Sequence, residues 1–497
     1  MRAPRTTAAT AALLTLAAGL LVAGPASAHS DPDRNRRLAV LEPGAVDPLI
    51  ASDNVAHLAS DPGQAGISGC FLPTAPLFVT SGLDSVRVWD VADPAKPALV
   101  GVLASTQFEN EAMTCGERRT ADGVRRFALI GVDTYQASVD DIQHVNVGGN
   151  ELIVVDVTDP AAPFVASRAP ATTSTHTVAC TDPTNCRYAY SAGGRSDFSI
   201  IDLRDLDAPV EVDSDTKTAG VQPFASPTGG HKWSLDGAGI ATHTGYEGAS
   251  MWDVSSPRRP RLLATTGRAG QGTDPAYPGW NDFILHNSQR PNAERFRPNT
   301  RPSIARGNVL LVTEEDYEQT DCSLAGSFQT WWVKRLDGRP GGIVPLDKVE
   351  LADLGAYPLP QGAFCSSHWF DVRPDGLVAA GFYGGGTQII DVRNPRRITP
   401  YGHAVWGASE VWDAMWVPVY DARGRRTEAR TTIVYAIDLV RGLDVYAVDV
   451  PGDGRGALPE SARAERPLES AAVPLGLVST AALGALALGR RRRRVAV

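Results

Sequence analysis

The sequence predicts an all-β fold, a single seven-bladed β-propeller of four-stranded blades. Three observations point to it. A short β-type run ending in Asp, followed by a proline-bearing turn, recurs seven times. The chain is rich in turn formers, with 48 Gly and 36 Pro among 497 residues. Almost no segment carries the apolar period of an amphipathic helix. A unit of ~40–60 residues holding about four strands fits a propeller blade better than a sandwich strand or a helical solenoid turn.

The copies run in order along the chain. Val86-Arg87-Val88-Trp89-Asp90 precedes Pro94, and Leu152-Ile153-Val154-Val155-Asp156 precedes Pro160. Further copies surround Asp202, Asp253 and Asp391, and two degenerate ones fall at Trp331–Asp337 and around Asp449. Successive key aspartates lie 66, 46, 51, 84, 54 and 58 residues apart. Each run reads as a central strand packed on both sides, hence Ile-Val-Val rather than strict alternation. The Asp carboxylate is suited to accept backbone N–H groups of the following turn, and Pro fixes φ inside it. The long fourth interval predicts an insertion at about Gly267–Arg306 lying over one face, where long loops carry binding.

Leu152-Ile153-Val154-Val155-Asp156 resembles the signature of the LVIVD-repeat family, surface or secreted propellers of bacteria and archaea related at fold level to WD-repeat propellers. The likeness spans roughly residues 56–450. It implies the fold and an exported address, and it implies no agreed activity.

Both ends read as membrane signals. Arg2 and Arg5, an apolar run through Leu13–Val22 and Ala26-Ser27-Ala28 form a secretory signal peptide over residues 1–28. An N-terminal extension follows at 29–55, then the propeller at 56–450 and a Pro/Gly/Glu/Arg-rich stalk at 451–470. The anchor is placed at 471–489. Its uncharged run Ala471–Leu488 would span about 27 Å as a helix. The tail at 490–497 begins with Arg490–Arg494, which would stay cytoplasmic and leave the body outside. A membrane anchor and a C-terminal sorting signal that is later processed both fit. Without the two ends, 40 basic and 56 acidic side chains leave a formal charge of −16, which argues against nucleic-acid binding.

Six cysteines in an exported chain read as disulfides, for which fifteen pairings exist. Cys180 and Cys186 enclose a Thr-Asp-Pro-Thr-Asn turn and form the best local pair. Cys70 with Cys115 and Cys322 with Cys365 are then the remaining near neighbours. No C-x-x-C spacing supports a zinc–thiolate site.

Four histidines fall where an innermost strand should begin: His176, His231, His286 and His368. Glu111 and Asp413 take the same station in other units. Innermost strands line the central channel, so these six positions form a ring suited to a transition metal, Cu or Zn first. A second tier, Asp133, His243, Glu315 and Asp438, sits near the end of the next strand. Carboxylates there suit Ca²⁺ or a general base beside a metal-bound water. The competing reading makes each His a strut, tied to its own blade's Asp as in WD-repeat blades. Trp89 and Trp252 read as packing, and Trp280, Trp331, Trp332, Trp406 and Trp412 as contributors to a binding face. Gly384-Gly385-Gly386 reads as a hairpin turn rather than a phosphate loop.

The functional expectation is an exported, surface-tethered binding module for an extracellular protein, glycan or small ligand, with a monomeric body. The alternative is a metal-dependent enzyme, oxidative or hydrolytic, built on the His ring.

Overall fold

The Asp-Pro turn organises five of the seven blades. In the computed structural model, which describes residues 49–104, 111, 113–121, 123–132, 150–193, 196–355 and 364–451, the key aspartates close their turns as expected. Asp90, Asp156, Asp202, Asp253 and Asp391 each accept the backbone N–H two residues on, at 2.9–3.0 Å. Those turns also join blades. Tyr435 Oη donates to the Pro94 carbonyl (2.9 Å), Tyr190 Oη to the Pro257 carbonyl (2.5 Å) and Thr330 Oγ1 to the Pro395 carbonyl (2.6 Å), in each case one blade reaching the next.

Seven antiparallel blade sheets result among the described residues, with a two-stranded ribbon of Asp197–Phe198 and Phe224–Ala225 beside blade 3. Blade 1 is Gly66–Phe71, Leu77–Gly82, Ser85–Asp90 and Ala98–Ala104, and blade 2 is Met113–Thr120, Gly123–Val132, Glu151–Asp156 and Phe164–Pro170. Blade 3 is Thr177–Cys180, Tyr188–Ala192, Ile200–Asp202 and Val210–Glu211, and blade 4 is Lys232–Leu235, Ile240–Gly245, Gly248–Asp253 and Arg261–Thr265. Blade 5 is Ile284–Gln289, Val309–Glu315, Phe328–Val333 and Ile343–Val349. Blade 6 is Phe370–Val372, Leu377–Gly381, Thr387–Asp391 and Thr399–Trp406, with Leu49–Ala51 added at its edge. Blade 7 takes Val411–Tyr420, Arg426–Asp438 and Gly442–Val448 from the end of the body and Val55–Asp61 from its start. That last pairing closes the ring. Strands therefore begin at Leu49, ahead of the expected boundary at residue 56, because the start of the body supplies outer strands to the last two blades.

Closure is visible in the packing. Seven buried apolar clusters each fill one junction between neighbouring blades, the seventh uniting Phe71, Phe78 and Trp89 of blade 1 with Tyr435, Ile437 and Val445 of blade 7. The second and third strands are buried on both faces, which is why Leu152–Val155 is unbroken hydrophobic sequence. Outer strands are partly exposed, and in six blades the pairing of the third and fourth strands is bulged, which twists the edge away from partners.

All three expected disulfides are present, Cys70–Cys115, Cys180–Cys186 and Cys322–Cys365. Gly384–Gly386 makes the hairpin of blade 6, with Gly386 at φ 71°. Two expectations fail. The extra residues 267–306 do not cover one face: the inner strand Ile284–Gln289 divides them into a segment on each face, because that strand must reach the axis. Trp331 and Trp412 are fully buried, packed between blades rather than offered to a ligand. The segments 1–28, 29–48 and 452–497, and with them the expected signal peptide, stalk, anchor and tail, lie outside the described residues. Among the described residues no helix is long and apolar enough to cross a membrane.

Candidate metal centre

Each inner strand runs from the upper face of the disc to the lower face that carries the Asp-Pro turns. The residue that opens or lies near the start of an inner strand therefore faces the upper end of the channel. His176 and His231 immediately precede their strands, His286 is the third residue of its strand, and His368 lies two residues ahead of Phe370–Val372. Their backbones are pinned. Thr177 Oγ1 of blade 3 donates to the His231 carbonyl (2.5 Å), and Thr244 Oγ1 of blade 4 donates to the His286 carbonyl (2.6 Å). His368 N–H is bonded to the Gly381 carbonyl at 2.9 Å.

The four imidazoles form a stack around the axis, with ring centroids 4.8 Å apart for His176–His231, 4.1 Å for His231–His286 and 4.1 Å for His286–His368. One carboxylate lies at their centre. Glu111 Oε1 is 2.7 Å from His286 Nε2 and 3.0 Å from His368 Nε2, and Oε2 touches His176 Nε2 and lies 3.6 Å from His231 Nε2. His176 Nε2 and His231 Nε2 are themselves 3.1 Å apart. Glu315 closes the other side, 3.6 Å from His286 Nε2 and 3.8 Å from His368 Nε2. Two overlapping donor groups share Glu111: Glu111, His286, Glu315 and His368, and Glu111, His176 and His231, each within 4.8 Å. None of the six residues is more than 5% exposed.

The protonation pattern suits ligation. Burial drives His231 and His286 far below the ordinary imidazole range, with repulsion from neighbouring imidazoles adding to it, so both are neutral at pH 7. His368 Nδ1 lies 2.7 Å from the Trp412 carbonyl oxygen, which only accepts, so Nδ1 carries a proton and Nε2 is the ring nitrogen turned to the channel. Glu315 is held by the Tyr383 hydroxyl, which donates to Oε1. Tyr383 adopts φ 46°, a left-handed conformation that is rare for a bulky residue, and its ring packs 4.6 Å from that of His368.

Of the remaining expected residues, Asp413, His243 and Asp438 do not join. Asp413 faces the lower half of the channel, where burial pushes its carboxyl up to about 8. His243 lies flat on Trp233 inside a blade junction (4.1 Å, 6°), its Nδ1 2.7 Å from Ser226 Oγ, and burial lowers it to about 3. Asp438 accepts the N–H groups of Glu410, Val440 and Arg441 and the Ser409 hydroxyl, which makes it a turn anchor. Asp133 lies outside the described residues. No histidine of the ring bonds its own blade's turn Asp, because those aspartates sit at the opposite face; the strut arrangement is absent among the described residues. Tyr383 and Trp369 were not legible as site residues, and Trp412, expected on a binding face, instead serves the ring through its backbone carbonyl. The one signal was Tyr383 standing directly before three glycines, a place where the backbone turns sharply.

The sequence pattern of the LVIVD repeat matches residues 143–169, which hold the third strand of blade 2, its Asp-Pro turn and most of the fourth strand. The chain carries an LVIVD repeat. No curated protein matches it. In this LVIVD-repeat propeller the matched strand helps build the scaffold, and all of the donor groups except Glu111 come from other blades.

Proposed function

We propose that this LVIVD-repeat propeller is an exported, surface-tethered metalloprotein whose axial ring holds one transition-metal ion between Glu111, His176, His231, His286 and His368. The observation that carries the reading is the meeting of four imidazole Nε2 atoms, from four consecutive blades, on one buried carboxylate. Four buried imidazoles, of which His231 and His286 are held neutral, around two buried carboxylates form an arrangement costly to stability alone, and a divalent ion compensates it. All six cysteines are paired, so the donors are nitrogen and oxygen, which suits Cu, Zn or Fe rather than Ca²⁺. When bound, such an ion supplies Lewis-acid or one-electron chemistry. This chain's own contribution is to hold His368 in one tautomer through the Trp412 carbonyl and to keep Glu315 beside the ring, through Tyr383, as a proton acceptor.

Elemental analysis of protein purified without added metal tests this. Near one equivalent of a single transition metal is expected, falling below about a tenth of an equivalent in H231A and H286A variants that remain folded. A folded wild-type protein that neither carries nor takes up Cu, Zn or Fe would sink the reading. The exported address is supported by the leader pattern of residues 1–28, the apolar run and arginine block at the other end, and the three disulfides. Ending the chain after Ser470 is expected to move the protein from the membrane fraction to the medium; unchanged fractionation would refute tethering by that segment.

A further inference from the structure

The channel has a second chamber. Below the histidine ring, a funnel of about 650 Å³ opens on the lower face, lined among others by Met113, Lys232, Trp369, Asp413, Met415 and Arg426. The Trp369 ring separates the two compartments: its centroid lies 4.2 Å from that of His286 on one side and 4.1 Å from Lys232 Nζ on the other. Lys232 and Asp413 both face this funnel. Lys232 rests on the Trp369 ring, and Asp413, only 6% exposed, accepts the backbone N–H of Ala414; the two side chains attract each other across the funnel without forming an ion pair among the described residues. Of the other charges on the wall, Arg290 is matched by Asp236 and Arg430 by Asp371, while Arg426 donates to the Phe71 carbonyl.

Opposite charges that attract across a cavity without touching compensate each other only in part, so burial pushes the Asp413 carboxyl up to about 8 and the Lys232 ammonium down to about 8, and a ligand that meets both restores their charged forms. A single anion would satisfy Lys232 and repel Asp413; a single cation would do the reverse. A ligand bearing both charges satisfies both. We infer that the lower funnel is a binding site for a small zwitterion of the α-amino-acid type, its carboxylate on Lys232 and its ammonium on Asp413, with the side chain against Met113 and Met415. The inference stands independently of the metal centre above it.

Three probes with one side chain and three charge states test it: L-leucine, isocaproate (carboxylate only) and isoamylamine (ammonium only), titrated into the full-length protein by calorimetry. Leucine is expected to bind about tenfold or more tighter than either analogue. D413N is expected to reduce leucine to the level of isocaproate, and K232M to that of isoamylamine. The comparison of probes on wild-type protein stands even if a variant fails to fold. No binding of any probe at about 10 mM, an analogue that binds as well as leucine, or leucine binding unaffected in folded D413N and K232M would each overturn the assignment.

Discussion

Replacing Glu111 by Gln isolates the charge at the centre of the ring. Gln has the shape of Glu and can still hydrogen-bond an imidazole, so the metal-free fold should change little. The charge is the difference. Glu111 Oε1 lies 2.7 and 3.0 Å from two of the Nε2 atoms, so an ion shared by those atoms must lie within about 4 Å of the carboxylate. Two unit charges at that separation interact by ~4 kcal/mol at an effective dielectric of 20, and a divalent ion gains more before desolvation is subtracted. A net loss of ~3 kcal/mol is a conservative expectation, which weakens binding more than about a hundredfold. Competition against a chelator of known affinity reads this directly, with thermal melting of the metal-free proteins as the control for folding. E111Q protein that binds its metal within about threefold of wild type, with an unchanged melt, would refute the central role of this carboxylate.

Three further outcomes follow from the same structure. Phe78 is fully buried at the junction of blades 7 and 1, 4.4 Å from the Phe71 ring and 5.4 Å from the Tyr435 ring; Phe78→Ala should destabilise by about 3–5 kcal/mol in urea unfolding, and a loss under ~1 kcal/mol would deny that this junction closes the ring. The Cys70–Cys115 bridge ties blade 1 to blade 2 across 45 residues, so replacing both by Ala should cost about 4 kcal/mol by loop entropy, with the urea midpoint as readout. Burial raises Glu350 to about 7, so the folded state keeps its proton where the unfolded chain has lost it. Stability should then fall as pH rises from about 4.5 to 7, by up to ~3 kcal/mol, and level off above; E350Q should lose that part of the slope, and identical pH profiles would contradict it.

Much of this was legible in the sequence because it is local. The Asp-Pro turn, the doubly buried third strand and the six cysteines are short-range patterns, and a repeat multiplies each signal until blade number and strand order follow. The histidines were legible for the same reason, since equivalent stations on repeated strands must face a common axis once the ring closes. What the sequence left open concerns distances across that axis. Glu111 and His368 are 257 residues apart and meet only because Val55–Asp61 completes blade 7. Asp413 shares Glu111's station in the repeat yet faces the lower chamber, and Glu315 reaches the ring from the second strand of blade 5, because the reach of a side chain depends on blade tilt and neighbouring rings rather than on register. The repeat determined which residues approach the channel. Closure alone decided which of them touch, by holding side chains from different blades within hydrogen-bond distance of one another across the axis.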